Sequence, residues 1–193
     1  MNILGSGLHQ ARHFEDALSV DEARLSTLRR IGASEERMLT AQNNLATTYH
    51  ELGRLEETNR ILGEVYSGFC RLSGEDCKKS LASAYNYANS FSELRRLEEV
   101  KSLLCKAIPV ARRVLGESHE LTLRMRSLYA EALYTDPGAT LDHLREAVTD
   151  LEESARISRR VLGGAHPVTA GVKKGLRNAR AALRACETPP LPG

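Results

Sequence analysis

Apolar and polar positions follow the period of an α-helix over most of the chain. Leu45, Ala46, Tyr49 and Leu52 recur at three- and four-residue steps, which places them on one face of a helix. After Gly53 a second periodic segment begins, and its apolar and turn positions are Leu55, Ile61, Leu62, Val65, Phe69, Leu72 and Gly74. A glycine just past the last periodic residue is a typical helix end. The pattern predicts a unit made of a helix A, a tight turn, a longer helix B and a polar connector.

This unit repeats every 42 residues. Leu-Gly-Arg-Leu-Glu-Glu at residues 52–57 returns as Leu-Arg-Arg-Leu-Glu-Glu at residues 94–99. The glycines that end the B helices keep the same spacing until the last interval, which is 47 residues: Gly32, Gly74, Gly116 and Gly163. A fixed period in this range is typical of stacked helical units rather than of a globular enzyme with one centre. The repeat therefore favours a binding function over a catalytic one.

Three full units share one small residue. They span residues 40–74, 80–116 and 122–163, and an enlarged turn at residues 135–140 accounts for the longer last interval. Alanine occupies one register position in all three units, as Ala46, Ala88 and Ala130. Small residues at a fixed site are what close packing of two helices requires. Pro109 lies inside the second helix B, and we expect it to kink that helix.

The two ends of the repeat region are incomplete. Residues 1–32 form a partial unit, and residues 169–185 form a final helix A that caps the last apolar face. Residues 186–193 form a proline-rich tail that we do not expect to be helical. The sequence thus predicts an all-α fold, a right-handed superhelical solenoid of antiparallel helix pairs.

Composition narrows the class of protein. A hydrophobic content of 41% is enough for a continuous core, and a formal net charge of +2 is too small to argue for nucleic acid. The four cysteines form no Cys-x-x-Cys pair, which favours free thiols over zinc or disulfides. The sequence shows neither a signal-peptide pattern nor an apolar stretch long enough to cross a bilayer. A cytoplasmic location is the expectation.

Several motifs carry a resemblance to a known family. Asn-Asn-Leu-Ala at residues 43–46 lies in mid helix A, Gly53 makes the turn, and Leu-Gly-Gly-Ala-His-Pro at residues 162–167 ends a helix B. With the 42-residue period, these motifs resemble tetratricopeptide repeats of the kinesin light chain-like branch over about residues 14–185. Arg95 departs from the pattern by replacing a turn glycine, and the heptad coiled coil of a light chain is absent. Cargo binding typical of kinesin light chains is therefore not carried over.

Helix A side chains beside the packing stripe should line the concave surface of such a stack. By register, the candidate partner-binding groove consists of Asn43, Asn44, Thr47, His50, Tyr85, Asn86, Asn89, Arg124, Ser127 and Tyr134. An asparagine amide both donates and accepts, so it can pair with the backbone of an extended peptide. The family resemblance implies this role for the groove asparagines. The alternative is that they are solvated or hydrogen bond between helices.

A basic stretch lies near the C-terminus. Eight basic residues and no acidic residue occur between residues 156 and 184. The candidate basic C-terminal patch on the final helix is Lys173, Lys174, Arg177, Arg180 and Arg184. It is either a solvated cap face or a dock for an acidic partner segment, RNA or an anionic membrane surface. Nucleic acid is the least expected of these, because the stretch has no aromatic side chain for stacking.

Sequence signatures of enzymes are missing. There is no Gly-rich phosphate loop, no G-x-S-x-G, no H-E-x-x-H and no Cys/His cluster. His119 and His166 share a register, as expected of a structural connector residue. We predict a non-catalytic adaptor or scaffold, without cofactor or metal, that binds a protein or peptide segment and favours acidic ligands. The alternative is an architectural subunit of a larger multiprotein complex that uses its convex face and basic C-terminal end.

Overall fold

A computed structural model describes residues 13–187, which form eight α-helices and no strand. The helices are α1 (Phe14–Arg30), α2 (Glu35–Glu51), α3 (Leu55–Ser73), α4 (Lys78–Glu93), α5 (Leu97–Leu115), α6 (Glu120–Thr135), α7 (Leu141–Val161) and α8 (Pro167–Glu187). The chain divides into two compact units, one ending at Leu94 and the other beginning at Arg95. The predicted all-α helical repeat fold is confirmed.

In the first unit, each helix packs against the next one along the chain, from α1 to α4. Leu45 of α2 and Val65 of α3 belong to one core cluster, in which Val65 is fully buried. Ala46 is also fully buried, and the hydroxyl of Thr58 in α3 donates a hydrogen bond to its carbonyl at 3.3 Å. This contact is the close approach of helices A and B that the small residue predicts.

In the second unit, α5 to α8 pack in the same sequential manner, and α6 also contacts α8. Ala130 of α6, Leu151 of α7 and Val172 of α8 belong to its buried cluster. Helix α5 continues through Pro109, and the kink expected there stays a prediction. Because α8 is packed against both α6 and α7, this final helix A is held by apolar contacts on two sides.

The turns after α2 and α4 use the same left-handed backbone with different residues. Gly53 has φ +73° and follows α2, whereas Arg95 has φ +58° and follows α4. A left-handed conformation costs a residue with a Cβ about 1–2 kcal/mol that glycine does not lose. The repeat therefore imposes its turn geometry even where the sequence has replaced the glycine.

The helices extend further than the periodicity predicts. Helix α2 begins at Glu35, five residues before residue 40, and α8 continues to Glu187. The predicted tail at residues 186–193 is therefore wrong for its first two residues, because a proline at position 189 restricts the residue directly before it and not Glu187. Residues 1–12 of the predicted partial unit and residues 188–193 of the predicted tail lie outside the described residues.

Candidate functional site

Seven of the ten predicted groove residues lie in the first unit, on α2 and α4. Five of them line one notch of about 180 Å³, which we call the Asn86 notch. The notch is lined by Ala46, Thr47, His50, Thr58, Leu62, Tyr85, Asn86, Asn89 and Ser90. On α2, Thr47 and His50 are one turn apart and so share a face. The notch residues of α2 and those of α4 are 35 or more positions apart in the sequence, yet they line the same notch.

Asn86 of the notch is joined to Asn43 of α2, which does not itself line the notch. Nδ2 of Asn86 donates a hydrogen bond to Oδ1 of Asn43 at 3.0 Å. Both side chains are half-buried. An asparagine amide has two N–H donors and one carbonyl acceptor. The bond therefore leaves the carboxamide oxygen of Asn86 and the NH₂ group of Asn43 with capacity for a ligand.

The floor of the notch is fixed by hydrogen bonds. Nδ2 of Asn59 donates to the hydroxyl of Ser90 at 2.9 Å, and that hydroxyl donates to the backbone carbonyl of Tyr87 at 2.8 Å. Asn59 and Ser90 are both buried, and Leu62 beside them is 7% exposed. The polar side chains around the notch, which are half-buried or exposed, thus lie over a floor whose polar groups are already paired.

The other predicted groove residues lie on α6 in the second unit, and two of them are engaged within the chain. Arg124 donates to Glu120 at 2.9 and 2.7 Å, and this hydrogen bond holds the pKa of Glu120 below its ordinary value. Tyr134 is half-buried, hydrogen bonds with Asn178 of α8, and has its pKa raised by burial. Ser127 is half-buried. Arg124, which the sequence predicted to favour acidic ligands, is therefore already paired with Glu120.

The basic C-terminal patch separates into two groups. Arg180 pairs with Glu152 of α7 at 2.7 Å, and Arg184 also interacts within the chain. Lys173, Lys174 and Arg177 are exposed and have no ion-pair partner among residues 13–187. The three cations nearer the start of α8 are thus the part of the patch that remains available.

Sequence reasoning missed a buried arginine in the second unit. The side chain of Arg126 in α6 is 1% exposed. Its guanidinium donates to Asp150 at 2.6 Å and Glu153 at 2.6 Å in α7, and to Glu117 at 3.2 Å in the loop after α5. Burial lowers the pKa of Arg126, but these carboxylates outweigh it and raise the pKa overall. The sequence did contain a signal for this buried residue: an arginine stands at a helix position that periodicity assigns to the interior.

The two histidines that share a register are helix caps. Nδ1 of His119 accepts from the backbone N–H of Leu121 at 3.1 Å, and Nδ1 of His166 accepts from that of Val168 at 3.3 Å. Each satisfies an N–H group at a helix start. Within the described ranges, no group of three or more His, Cys, Asp or Glu side chains could hold a metal ion. A membrane-spanning helix is likewise not found in that part of the chain.

Comparison with known proteins agrees with this architecture. The family model described as Tetratricopeptide repeat matches residues 38–76 and 139–168. No curated protein matches the sequence. The first matched segment covers most of α2 and all of α3, and the second covers α7 and the start of α8.

Solved structures with the same fold include proteins from two organisms. One is a protein of Podosopora anserina described as a kinesin light chain with nearly identical TPR-like repeats. Its crystal structure has 21% identity, a TM-score of 0.78 and coverage of 95% of this chain and 85% of that chain; a single-substitution variant has a TM-score of 0.79. The other is BtubC (BKLC) from P. vanneervenii, with 16% identity and a TM-score of 0.74. The match covers 100% of this chain and 81% of that chain. The predicted resemblance to kinesin light chain-like tetratricopeptide repeats is confirmed, and at these identities it defines the fold.

Proposed function

We propose that the chain is a non-catalytic protein-interaction module, an adaptor or scaffold, that binds an extended partner segment at the Asn86 notch. The observation that carries the proposal is that residues chosen by register on two separate helices line one notch. The tetratricopeptide fold, which generally mediates protein–protein interaction or scaffolding, supports the same assignment.

The notch and the adjoining Asn43 offer a peptide backbone both kinds of hydrogen-bonding group. The NH₂ group of Asn43 would donate to a peptide carbonyl, and the carboxamide oxygen of Asn86 would accept from a peptide N–H. Tyr85 and Leu62 supply apolar surface next to these amides. Because Asn59 already fixes the floor through Ser90, less conformational entropy is lost on binding than at a flexible site.

Affinity purification with mass spectrometry tests this proposal. The intact chain is compared with the double variant Asn43→Ala/Asn86→Ala and with Thr149→Ala, an exposed side chain in the second unit. We expect at least one partner to be lost from the double variant and kept by Thr149→Ala, with both variants folded by thermal unfolding. Recovery of the same set of partners by all three proteins would contradict the proposal.

A second candidate function is supported by a separate observation. Lys173, Lys174 and Arg177 have no ion-pair partner in the described part of the chain and are exposed on α8. We propose as the alternative an architectural subunit that meets an acidic surface of a larger complex through this end. The charge-reversal variant Lys173→Glu/Arg177→Glu should then lose partners that the Asn43→Ala/Asn86→Ala variant keeps. If it keeps every partner, this alternative is excluded.

We further propose that the module works in a reducing compartment such as the cytoplasm. The support is that its four cysteines are free thiols: Cys70, Cys77, Cys105 and Cys186. Free thiols persist where glutathione and thioredoxin keep them reduced. Fractionation of source cells with an antibody against the chain tests this location.

A further inference from the structure

A second concave surface lies in the first unit, between α1 and α3. It encloses about 720 Å³, and we call it the α1/α3 cleft. The lining residues that matter here are Leu25 and Arg29 of α1, Met38 and Gln42 of α2, and Arg60 and Glu64 of α3. Gln42 and Asn43 are consecutive on α2, so their side chains point about 100° apart. The cleft therefore lies on a different face of α2 from the Asn86 notch.

The second unit shows what fills the equivalent position there. Arg126 follows Gln42 by two repeat periods, or 84 residues. Its guanidinium bridges α7 and the loop after α5 through Asp150, Glu153 and Glu117. In the first unit the shorter Gln42 stands at this position, and Ile61 occupies the register of Asp150. The gap that an arginine closes in the second unit is thus open in the first.

The charges of the cleft leave one guanidinium without a partner. Arg60 pairs with Glu64 at 2.7 Å within α3, and Arg71 pairs with Glu35. Arg29 is exposed and has no ion-pair partner among residues 13–187. An arginine guanidinium binds a carboxylate through two parallel hydrogen bonds. The net charge offered to a ligand is therefore positive and is located at Arg29.

Apolar side chains lie next to this cation. Leu25 is 6% exposed, and Met38 is half-buried. Methionine adapts its shape to an apolar guest because its side chain is unbranched and flexible. A volume of about 720 Å³ is within the range of sites that bind small ligands or side chains.

We propose that the α1/α3 cleft binds a segment of a partner protein in which an aliphatic side chain lies next to a carboxylate. The aliphatic side chain packs on Leu25 and Met38, and the carboxylate pairs with Arg29. A basic segment would instead bring its charge against Arg29. Residues 1–12 of this chain do not match, because they contain no acidic residue. This site is separate from the Asn86 notch.

Methionine methyl groups give a direct probe of the cleft. The chain has three methionines: Met1, Met38 and Met125. Met38 lines the cleft, whereas Met125 is fully buried in the second unit and serves as an internal control. The full chain, labelled with ¹³C at the methionine methyls, is titrated with two peptide pools of equal length, in which leucine alternates with glutamate or with lysine. We expect the Met38 resonance to move with the glutamate pool and Met125 to stay in place.

Two variants tie the response to the proposed contacts. Gln42→Phe fills the cleft with a larger uncharged side chain, and Arg29→Glu reverses the unpaired charge. Each should weaken the response to the glutamate pool by about tenfold or more, and Arg29→Glu should gain a response to the lysine pool. A thermal unfolding curve and an unmoved Met125 resonance verify that each variant is folded.

Three results would overturn the proposal. One is a Met38 resonance that stays in place at millimolar glutamate peptide, or that moves equally with both pools. Another is an unchanged response in Gln42→Phe. The third is movement of Met38 with protein concentration alone, which would identify a second copy of the chain as the occupant. The Asn43→Ala/Asn86→Ala variant should respond like the intact chain, so failure of the notch and failure of the cleft are distinguishable.

Discussion

The carboxamide of Asn86 donates a hydrogen bond to the carboxamide of Asn43 across 3.0 Å, and this bond links α2 to α4. The two residues are 43 positions apart, one more than the repeat period. They therefore occupy adjacent register positions on consecutive A helices. The pair has two roles in our account: it stabilises the helix contact, and it orients the remaining amide groups toward a peptide.

A double-mutant cycle separates these roles. Each of Asn43→Ala and Asn86→Ala should lower the free energy of unfolding by about 1 kcal/mol, because each removes the same neutral hydrogen bond. The double variant should lose less than the sum of the two, with a coupling energy of about 1 kcal/mol. Chemical denaturation of the four proteins measures it. Additive single effects would contradict the hydrogen bond as described.

Removal of the buried guanidinium should be far more costly than removal of an exposed one. Arg126→Met should lower the free energy of unfolding by about 2 kcal/mol, because it removes the charge-assisted hydrogen bonds to Asp150 and Glu153. Arg124→Met is the matched control on the same helix, since its exposed pair with Glu120 is worth about 0.5 kcal/mol or less. Equal effects of the two variants in urea denaturation would contradict the assigned role of Arg126.

The same cluster predicts a dependence of stability on pH. The hydrogen bond from Arg126 holds the pKa of Glu153 below its ordinary value of 4.5. Because the folded pKa is the lower one, the stabilisation is fully present above pH 4.5 and is lost as the pH falls through the folded pKa. The stability gap between the intact chain and Glu153→Gln should be largest near neutral pH and close in acid. A gap that widens below pH 4.5 would contradict this sign.

The left-handed turn residue Arg95 should be a site of strain. Arg95→Gly should raise the free energy of unfolding by about 1 kcal/mol, because glycine adopts φ +58° without the Cβ penalty. Gly53→Ala is the reciprocal control: no atom lies within 4 Å of the added Cβ, so its expected loss of about 1 kcal/mol reports backbone strain alone. Thermal denaturation measures both variants. Destabilisation by Arg95→Gly would mean that the arginine side chain makes a contact worth more than the strain.

Much of the fold could be predicted because the helix periodicity within each unit and the 42-residue repeat between units indicate the same packing of helices. The period of Ala46, Ala88 and Ala130 marks the helix crossing, and all three are fully buried. Five residues of the Asn86 notch were selected by the same register, since a fixed period brings equivalent faces of successive A helices together, and their role in binding stays a prediction. Helix ends were less accurate because apolar periodicity marks only the packed part of a helix, whereas the first turn of α2 begins with the polar residues Glu35 and Glu36.

Side-chain pairing could be predicted in part. The pair of Glu120 and Arg124 has the i, i+4 spacing that stabilises helices, so its signal was present in the sequence. The partners of Arg126 had no such signal. They come from α7 and from the loop after α5, and their pairing depends on how those segments pack.

Site-specific photocrosslinking tests the central claim most directly. p-Benzoylphenylalanine replaces Thr47, an exposed side chain of the Asn86 notch, or Glu56, an exposed residue in the first turn of α3 that does not line it. Irradiation in source cells should join a defined partner to the chain at position 47 and not at position 56. The adduct should disappear in the Asn86→Ala background. Identical adducts at both positions, or a Thr47 adduct unaffected by Asn86→Ala, would show that the notch does not bind the partner.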